Sequence, residues 1–291
     1  MNADFPLLES GRLTHYRLRL SPAVLAAAGT LTAIALMCLL APVIAPFSPT
    51  DQPDIIALKS QPPSSAHPFG TDPASRDVLS RVLFGGRVSL GIALLATLVS
   101  VTLGTAYGAV AGYAGGLKGA LLGRFLDALL SIPRVLLLIA IFAVWRDLPL
   151  VAFVVALGAT GWYGLARLVR GQVLALKERD FVASAGALGA SHGRILFRHI
   201  LPNVASPIVV AAVLGIGQVI VLEAGLSYLG IGVHTPTASW GSIVQDGSDQ
   251  IASHWWISLF PGLAIVTTVM VFNILGDALL RALQPRKTGT E

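Results

Sequence analysis

The sequence predicts an all-α, polytopic membrane protein with six transmembrane helices, on three observations. Of its 291 residues, 54% are hydrophobic and only 12% are charged, about half the charged share of a soluble domain. Five stretches of spanning length contain no Asp, Glu, Lys or Arg, and a bilayer needs about 20 apolar residues per helix. The basic residues are unevenly divided between alternate connections, as positively charged cytoplasmic loops require. This apolarity excludes a disordered chain and an ordinary soluble enzyme. The single cysteine, Cys38, excludes a disulfide framework and a cysteine-based zinc site.

The first span is read at residues 22–44, ended by Pro46 and Pro49. It is too long for a signal peptide and lacks a small-residue cleavage site before a soluble domain. An external connection, 46–87, follows. Its segment 74–84 places Val78, Leu79, Val82 and Leu83 at helical spacing, which reads as a short helix lying on the membrane surface. The second span falls within the charge-free stretch 88–117. Gly104, Gly108, Gly112 and Gly116 recur there every four residues, stacking on one face where helices can pack closely. The third span, 121–144, is less clean, because Arg124, Asp127 and Arg134 lie within it. The fourth and fifth are the charge-free 148–166 and 199–222, with Glu223 near the outer end of the fifth. The sixth lies in 250–276, where Trp255 and Trp256 read as an interfacial anchor. Asp277 and Arg281 beyond it are spaced for an i,i+4 pair. The chain thus divides into a tail (1–20), a first span with its external loop (21–87), a five-helix core (88–283) carrying a cytoplasmic loop (167–202), and a second tail (284–291).

Orientation follows from counting Lys and Arg. Arg12, Arg17 and Arg19, the connection with Lys118 and Arg124, the 167–202 loop, and Arg281, Arg286 and Lys287 together hold fourteen of the twenty. Lys59, Arg76, Arg81, Arg87 and Arg146 lie on the other side, and Arg134 lies within the membrane. Both termini are therefore expected in the cytoplasm. The basic excess of +5 is explained by orientation and needs no nucleic acid.

The cytoplasmic loop carries the most information. Phe181, Val182, Ala185 and Leu188 share a helical face, Gly189 ends that helix, and a second amphipathic stretch leads to Pro202. Periodicity leaves two readings open: a helix that docks into a partner's groove, or one that rests on headgroups. At this point the chain resembles the ABC-transporter permeases of the dipeptide/oligopeptide/nickel import group, C-type subunit. The loop is similar to their EAA signature, with the signature glycine at Gly189 and the following Leu201-Pro202. Further segments carry the resemblance in order: His67-Pro68-Phe69-Gly70-Thr71-Asp72, Arg76-Asp77-Val78-Leu79-Ser80-Arg81, Gly86-Arg87-Val88-Ser89-Leu90, Arg167-Leu168-Val169-Arg170-Gly171-Gln172, Pro236-Thr237-Ala238-Ser239-Trp240-Gly241, Phe260-Pro261-Gly262-Leu263-Ala264 and Phe272-Asn273-Ile274-Leu275-Gly276-Asp277. One departure stands out. The Glu-Ala-Ala opening of the signature is Ala183-Ser184-Ala185 here, so that position offers no charge, and Glu178 or Asp180 is the substitute to test.

The resemblance implies a type I ABC importer permease fold in a bacterial inner membrane. It implies a second permease subunit, two ATPases that bind ATP and magnesium, and an external solute-binding protein. ATPase coupling falls to Glu178, Asp180, Phe181, Ala183, Ser184, Ala185, Leu188 and Gly189. Gly104, Gly108 and Gly112 are helix-packing residues. Two residues are candidates for the translocation path. Arg134 either meets an anionic group such as a peptide carboxylate there, or pairs with Asp127 or an acid on another helix. Glu223 either lines the outer vestibule or makes helix contacts. The chain itself shows no Walker A loop and no His-Glu-x-x-His, and its six histidines have no i,i+4 ligand pair. No catalytic residue, cofactor or metal is expected in it. Import of di- and oligopeptides is the first reading; a nickel chelate, an opine or glutathione are alternatives. A secondary transporter working alone is the alternative of another class, and it calls for internal repeats and midplane acids that the chain does not clearly show.

Overall fold

Helix α1 runs over Pro22–Leu39 and α2 over Ala41–Ile44 in the computed structural model, which describes residues 21–145 and 148–283. The two expected tails, with Arg12, Arg17, Arg19, Arg286 and Lys287, and the loop residue Arg146 lie outside the described residues. Ser21 caps α1 by accepting the Val24 N–H, and Pro22 occupies the first helical position, where its missing donor costs nothing.

Helix α3, Val78–Tyr113, is the centre of the molecule. Its 36 residues give a length of about 54 Å, well beyond the bilayer core. Asp77 caps it, accepting from the Ser80 N–H at 2.8 Å and the Ser80 hydroxyl at 2.7 Å. This corrects the expectation of a separate surface helix at 74–84. The amphipathic segment is instead the first two turns of α3, and Val78, Val82 and Leu83 are buried against protein. Periodicity reports that a face is covered, and it cannot say whether by headgroups or by protein.

The third span is broken. Helices α4 (Gly116–Leu130) and α5 (Arg134–Val144) meet at 72°. Pro133 excludes the helical conformation at Ile132 and supplies no N–H to continue the ladder. Arg134 therefore opens the second arm of the bent pair instead of lying inside one continuous helix.

Six further helices and one π-helical turn complete the bundle: α6 (Leu150–Lys177), α7 (Asp180–Ala187), α8 (His192–Arg194) with the π-helical turn (Ile195–Ile200), α9 (Leu201–Tyr228), α10 (Trp240–Ser248) and α11 (Trp256–Leu283). The described residues thus hold five helices of spanning length and apolarity, and six spans when the bent pair counts as one. Leu94, Leu95, Leu98, Val151, Val155, Val266 and Met270 are all exposed, an apolar surface that lipid or a partner must cover.

The described residues form two cores. One lies toward the α10 end and joins Ile92, Leu157, Ile220, Trp240 and Ile257. The other lies toward the α7 end and joins Ala109, Val169, Val173, Val182, Ile195, Ile200 and Val204. Between them α3 packs on α6 through the glycine face. A Cβ on Gly104, Gly108 or Gly112 would lie 2.9, 2.5 and 2.9 Å from the carbonyl oxygens of Trp162, Ala166 and Arg170. Both sets of positions step by four, so one backbone runs along the other. Gly116 does not belong to this row: it lies past the end of α3 with φ +52° and open space around it.

Candidate functional site

The first candidate region is α7, and its own sequence shapes it. Val182 is its buried residue and Ala185 is half-buried, while Glu178, Asp180, Phe181, Ala183, Ser184 and Leu188 are exposed. Leu188 is 89% exposed, a large apolar side chain held in the open. The helix stops in a Schellman motif. Gly189, at φ +81°, donates its N–H to Gly186 O at 2.9 Å, and Ala190 donates to Ala185 O at 3.1 Å. A residue with a Cβ is strained at that φ, which explains the glycine.

Three contacts tie this region to the bundle, two of them to Tyr113 of α3. Lys177 Nζ donates to Tyr113 O at 2.7 Å and sits 5.2 Å from the Tyr113 ring centre. The Tyr113 hydroxyl meets His192 Nδ1 at 2.9 Å. Val182 packs in the same core as Val169, Val173 and Ile195. Val182 thus shares one packed cluster with Ala109 of α3, Val169 and Val173 of α6 and Val204 of α9. Tyr113 had no signal in the sequence, because its partners are 64 and 79 positions away.

The second candidate region is a cavity of about 580 Å³ lined by α5, α9 and α11, with Arg134, Gln218 and Asn273 among its residues. Arg134 Nη2 donates to Leu157 O at 2.7 Å and Nε approaches Thr160 Oγ1 at 3.4 Å. It does not pair with Asp127, which corrects that expectation. Asp127 lies on the other arm of the break and binds Arg167 at 2.5 Å, both side chains exposed. Glu223, the other path candidate, is fully buried and is not among the cavity-lining residues. Its carboxylate accepts from Ser89 at 3.0 Å and Ser227 at 2.8 Å, joining α3 to α9.

A third cluster holds the α10 end together. Asp72 accepts from Arg76 Nε at 2.7 Å and Arg81 Nη1 at 2.5 Å, and Asp246 accepts from Arg81 at 2.7 Å and Arg76 at 3.0 Å. Beside it, Trp240 Nε1 donates to Val82 O at 2.9 Å and Trp256 Nε1 to Thr71 O at 3.2 Å. Trp256 is thus buried inside the protein, and of this pair Trp255 alone is exposed. At the far end of α11, Arg281 Nε bonds the backbone carbonyl of Asp277 at 3.3 Å, and no Asp277–Arg281 ion pair forms.

Residues 78–289 match the family described as binding-protein-dependent transport system inner membrane component. The chain belongs to that family. Residues 11–63 of this permease also match the N-terminal membrane domain of oligopeptide transport permease C. The permease is 40% identical over 257 residues to the oligopeptide transport system permease protein OppC of Escherichia coli K12, covering 88% of this chain and 84% of that one. It is 38% identical over 251 residues to the dipeptide transport system permease protein DppC of Bacillus subtilis, covering 86% and 78%. It is 37% identical over 220 residues to an OppC of Haemophilus influenzae, covering 76% and 70%. The permease is a multi-pass inner-membrane subunit of an ABC importer, which implies ATPase and binding-protein partners.

Three of the segments that carry the resemblance build the α10 end of the fold. His67 to Asp72 and Arg76 to Arg81 build the ion cluster and the cap of α3. Pro236 to Gly241 opens α10, where a Cβ on Gly241 would lie 2.5 Å from the Ala224 Cα. These three segments hold the fold and do not line the cavity, whereas Asn273 of the Phe272–Asp277 segment does.

Proposed function

We propose that this permease is one of two membrane subunits of an ATP-driven importer of di- and oligopeptides. The observation that carries the peptide reading is the 38–40% identity, over 86–88% of the chain, to permeases named for dipeptide and oligopeptide transport. The other parts are a second permease, two ATPases that hold ATP and magnesium, and an external binding protein. Both termini and α7 face the cytoplasm, a reading supported by fourteen of twenty basic residues on that side. Helix α7 enters a groove on an ATPase through Phe181, Ser184 and Leu188, which are exposed. Glu178 or Asp180 takes over the charge that Ala183 lacks. ATPase closure moves α7, and the core it shares with α3, α6 and α9 carries that movement to the cavity. Glu223 serves helix contact, as its burial favours.

The deciding experiment is uptake of labelled di- and tripeptides by cells with and without this gene, beside uptake of a nickel chelate and glutathione. Peptide uptake lost on deletion and restored by the gene is the expected result. Loss confined to the chelate or glutathione would overturn the peptide reading while keeping the importer. Purification of the permease without any ATPase would overturn the importer assembly itself.

A further inference from the structure

A guanidinium in mid-span is costly unless something answers its charge, and nothing in the described chain does. Asp127 is engaged by Arg167, Glu223 by serine hydroxyls, and Asp72 and Asp246 by Arg76 and Arg81. Arg134 makes no ion pair among the described residues; its two hydrogen bonds go to neutral acceptors, Leu157 O and Thr160 Oγ1. Those bonds orient the group without neutralising it. The Thr160 hydroxyl spends its own proton on Ala156 O at 2.9 Å, which leaves a lone pair for Nε. The seat is also shaped. A Cβ on Gly161 would lie 2.8 Å from Arg134 Nη2, so the glycine is the gap in α6 that admits the side chain.

The remaining nitrogen, Nη1, has no protein acceptor among the described residues, and Arg134 lines the cavity. Apart from Arg134 the cavity is walled mostly by apolar side chains such as Val221, Leu222 and Val269, with two amides, Gln218 and Asn273. Arg134 is the one charged group among the lining residues, so it sets the sign of the local potential. The amides offer donors and acceptors for a neutral polar backbone. The volume, about 580 Å³, lies in the range of small-molecule sites.

We infer that Arg134, seated on Leu157 O and Gly161, is an anion subsite of the translocation cavity that takes the free carboxylate of the transported peptide. The carboxylate identity rests on the peptide reading above; the anion subsite rests on the geometry alone. An acidic side chain from the second permease is the other source of the same chemistry, and the test separates the two.

The test uses the complete importer in proteoliposomes, wild type and Arg134→Gln. One arm compares uptake of a dipeptide with uptake of its C-terminal amide. The acid-to-amide ratio in the variant, relative to wild type, removes the binding protein's own preference. It should fall about tenfold, the change that loss of one charged contact produces. The other arm needs no peptide. In a Cys38→Ala background, Gln218→Cys is labelled with anionic and cationic methanethiosulfonates. The anionic-to-cationic rate ratio should drop about fivefold or more on Arg134→Gln, because the cavity loses its one cation. An unchanged labelling ratio overturns the subsite. Equal loss of acid and amide uptake overturns the carboxylate assignment. Failure of the two permeases to co-purify in Arg134→Gln assigns the charge to the second permease and overturns it as well. If wild type imports no peptide, the peptide reading falls, and the labelling arm alone decides the anion site.

Discussion

Gly104, Gly108 and Gly112 show what one residue's absent side chain can do. Their period of four was legible in the sequence, but the helix they meet was not, because α6 lies about 60 residues further along the chain. The structure brings the α3 glycines against α6 carbonyls, and any side chain there must push two long helices apart. Gly108→Leu is expected to destabilise by about 3 kcal/mol or more by overpacking; the yield and melting temperature of detergent-purified protein should both drop, and wild-type values would refute the close approach. The ion cluster is the opposite case. Arg76 and Arg81 were legible only as external charges, since Asp246 is 170 positions from Arg76. Asp72 is fully buried, so Asp72→Ala strips Arg81 of a buried partner, at a cost of about 3 kcal/mol. A melting temperature unchanged by that substitution would show that Asp246 suffices alone.

Among the elements, α7 was the one whose shape and end could be read in advance. Its small residues, its short length and Gly189 are local signals, and the Schellman turn that closes it is local too. Gly189→Val should loosen that turn by about 1 kcal/mol, because φ is +81° there, and should lower peptide-dependent ATPase activity. Leu188→Asp tests the docking face directly. The side chain is 89% exposed, so folding and yield should hold while ATPase subunits fail to co-purify; retained ATPase would move the docking face elsewhere. The third span and the 74–84 segment were misjudged from apolarity and periodicity. Pro133 was visible, but whether a proline kinks a span or splits it depends on what fills the break. Here α6 does so, offering the Leu157 carbonyl to Arg134.

At the scale of the whole molecule, the topology divides stability from movement. The ion cluster, Trp240 and Glu223 fasten the α10 end with buried polar contacts. The α7 end is held by aliphatic packing and the Tyr113 contacts, which can shift without breaking buried charge pairs. Orientation is tested by reporter fusion. A periplasm-active phosphatase fused after residue 291 should be inactive and one fused within residues 51–60 active; the reverse pattern would invert the permease. The sequence by itself determined that the chain lives in a membrane, where its apolar spans lie, which way the basic loops argue it faces, and where a short loop helix ends at Gly189. Those features follow from hydrophobicity, charge and glycine, which act over a few neighbouring residues. Only the tertiary structure decided that the third span is broken and that the glycine row meets α6. It alone showed that Asp127 answers Arg167 and that Arg134, on a cavity, makes no ion pair among the described residues. Each of those depends on groups that the chain separates by tens to hundreds of positions, and packing alone brings them within bonding distance.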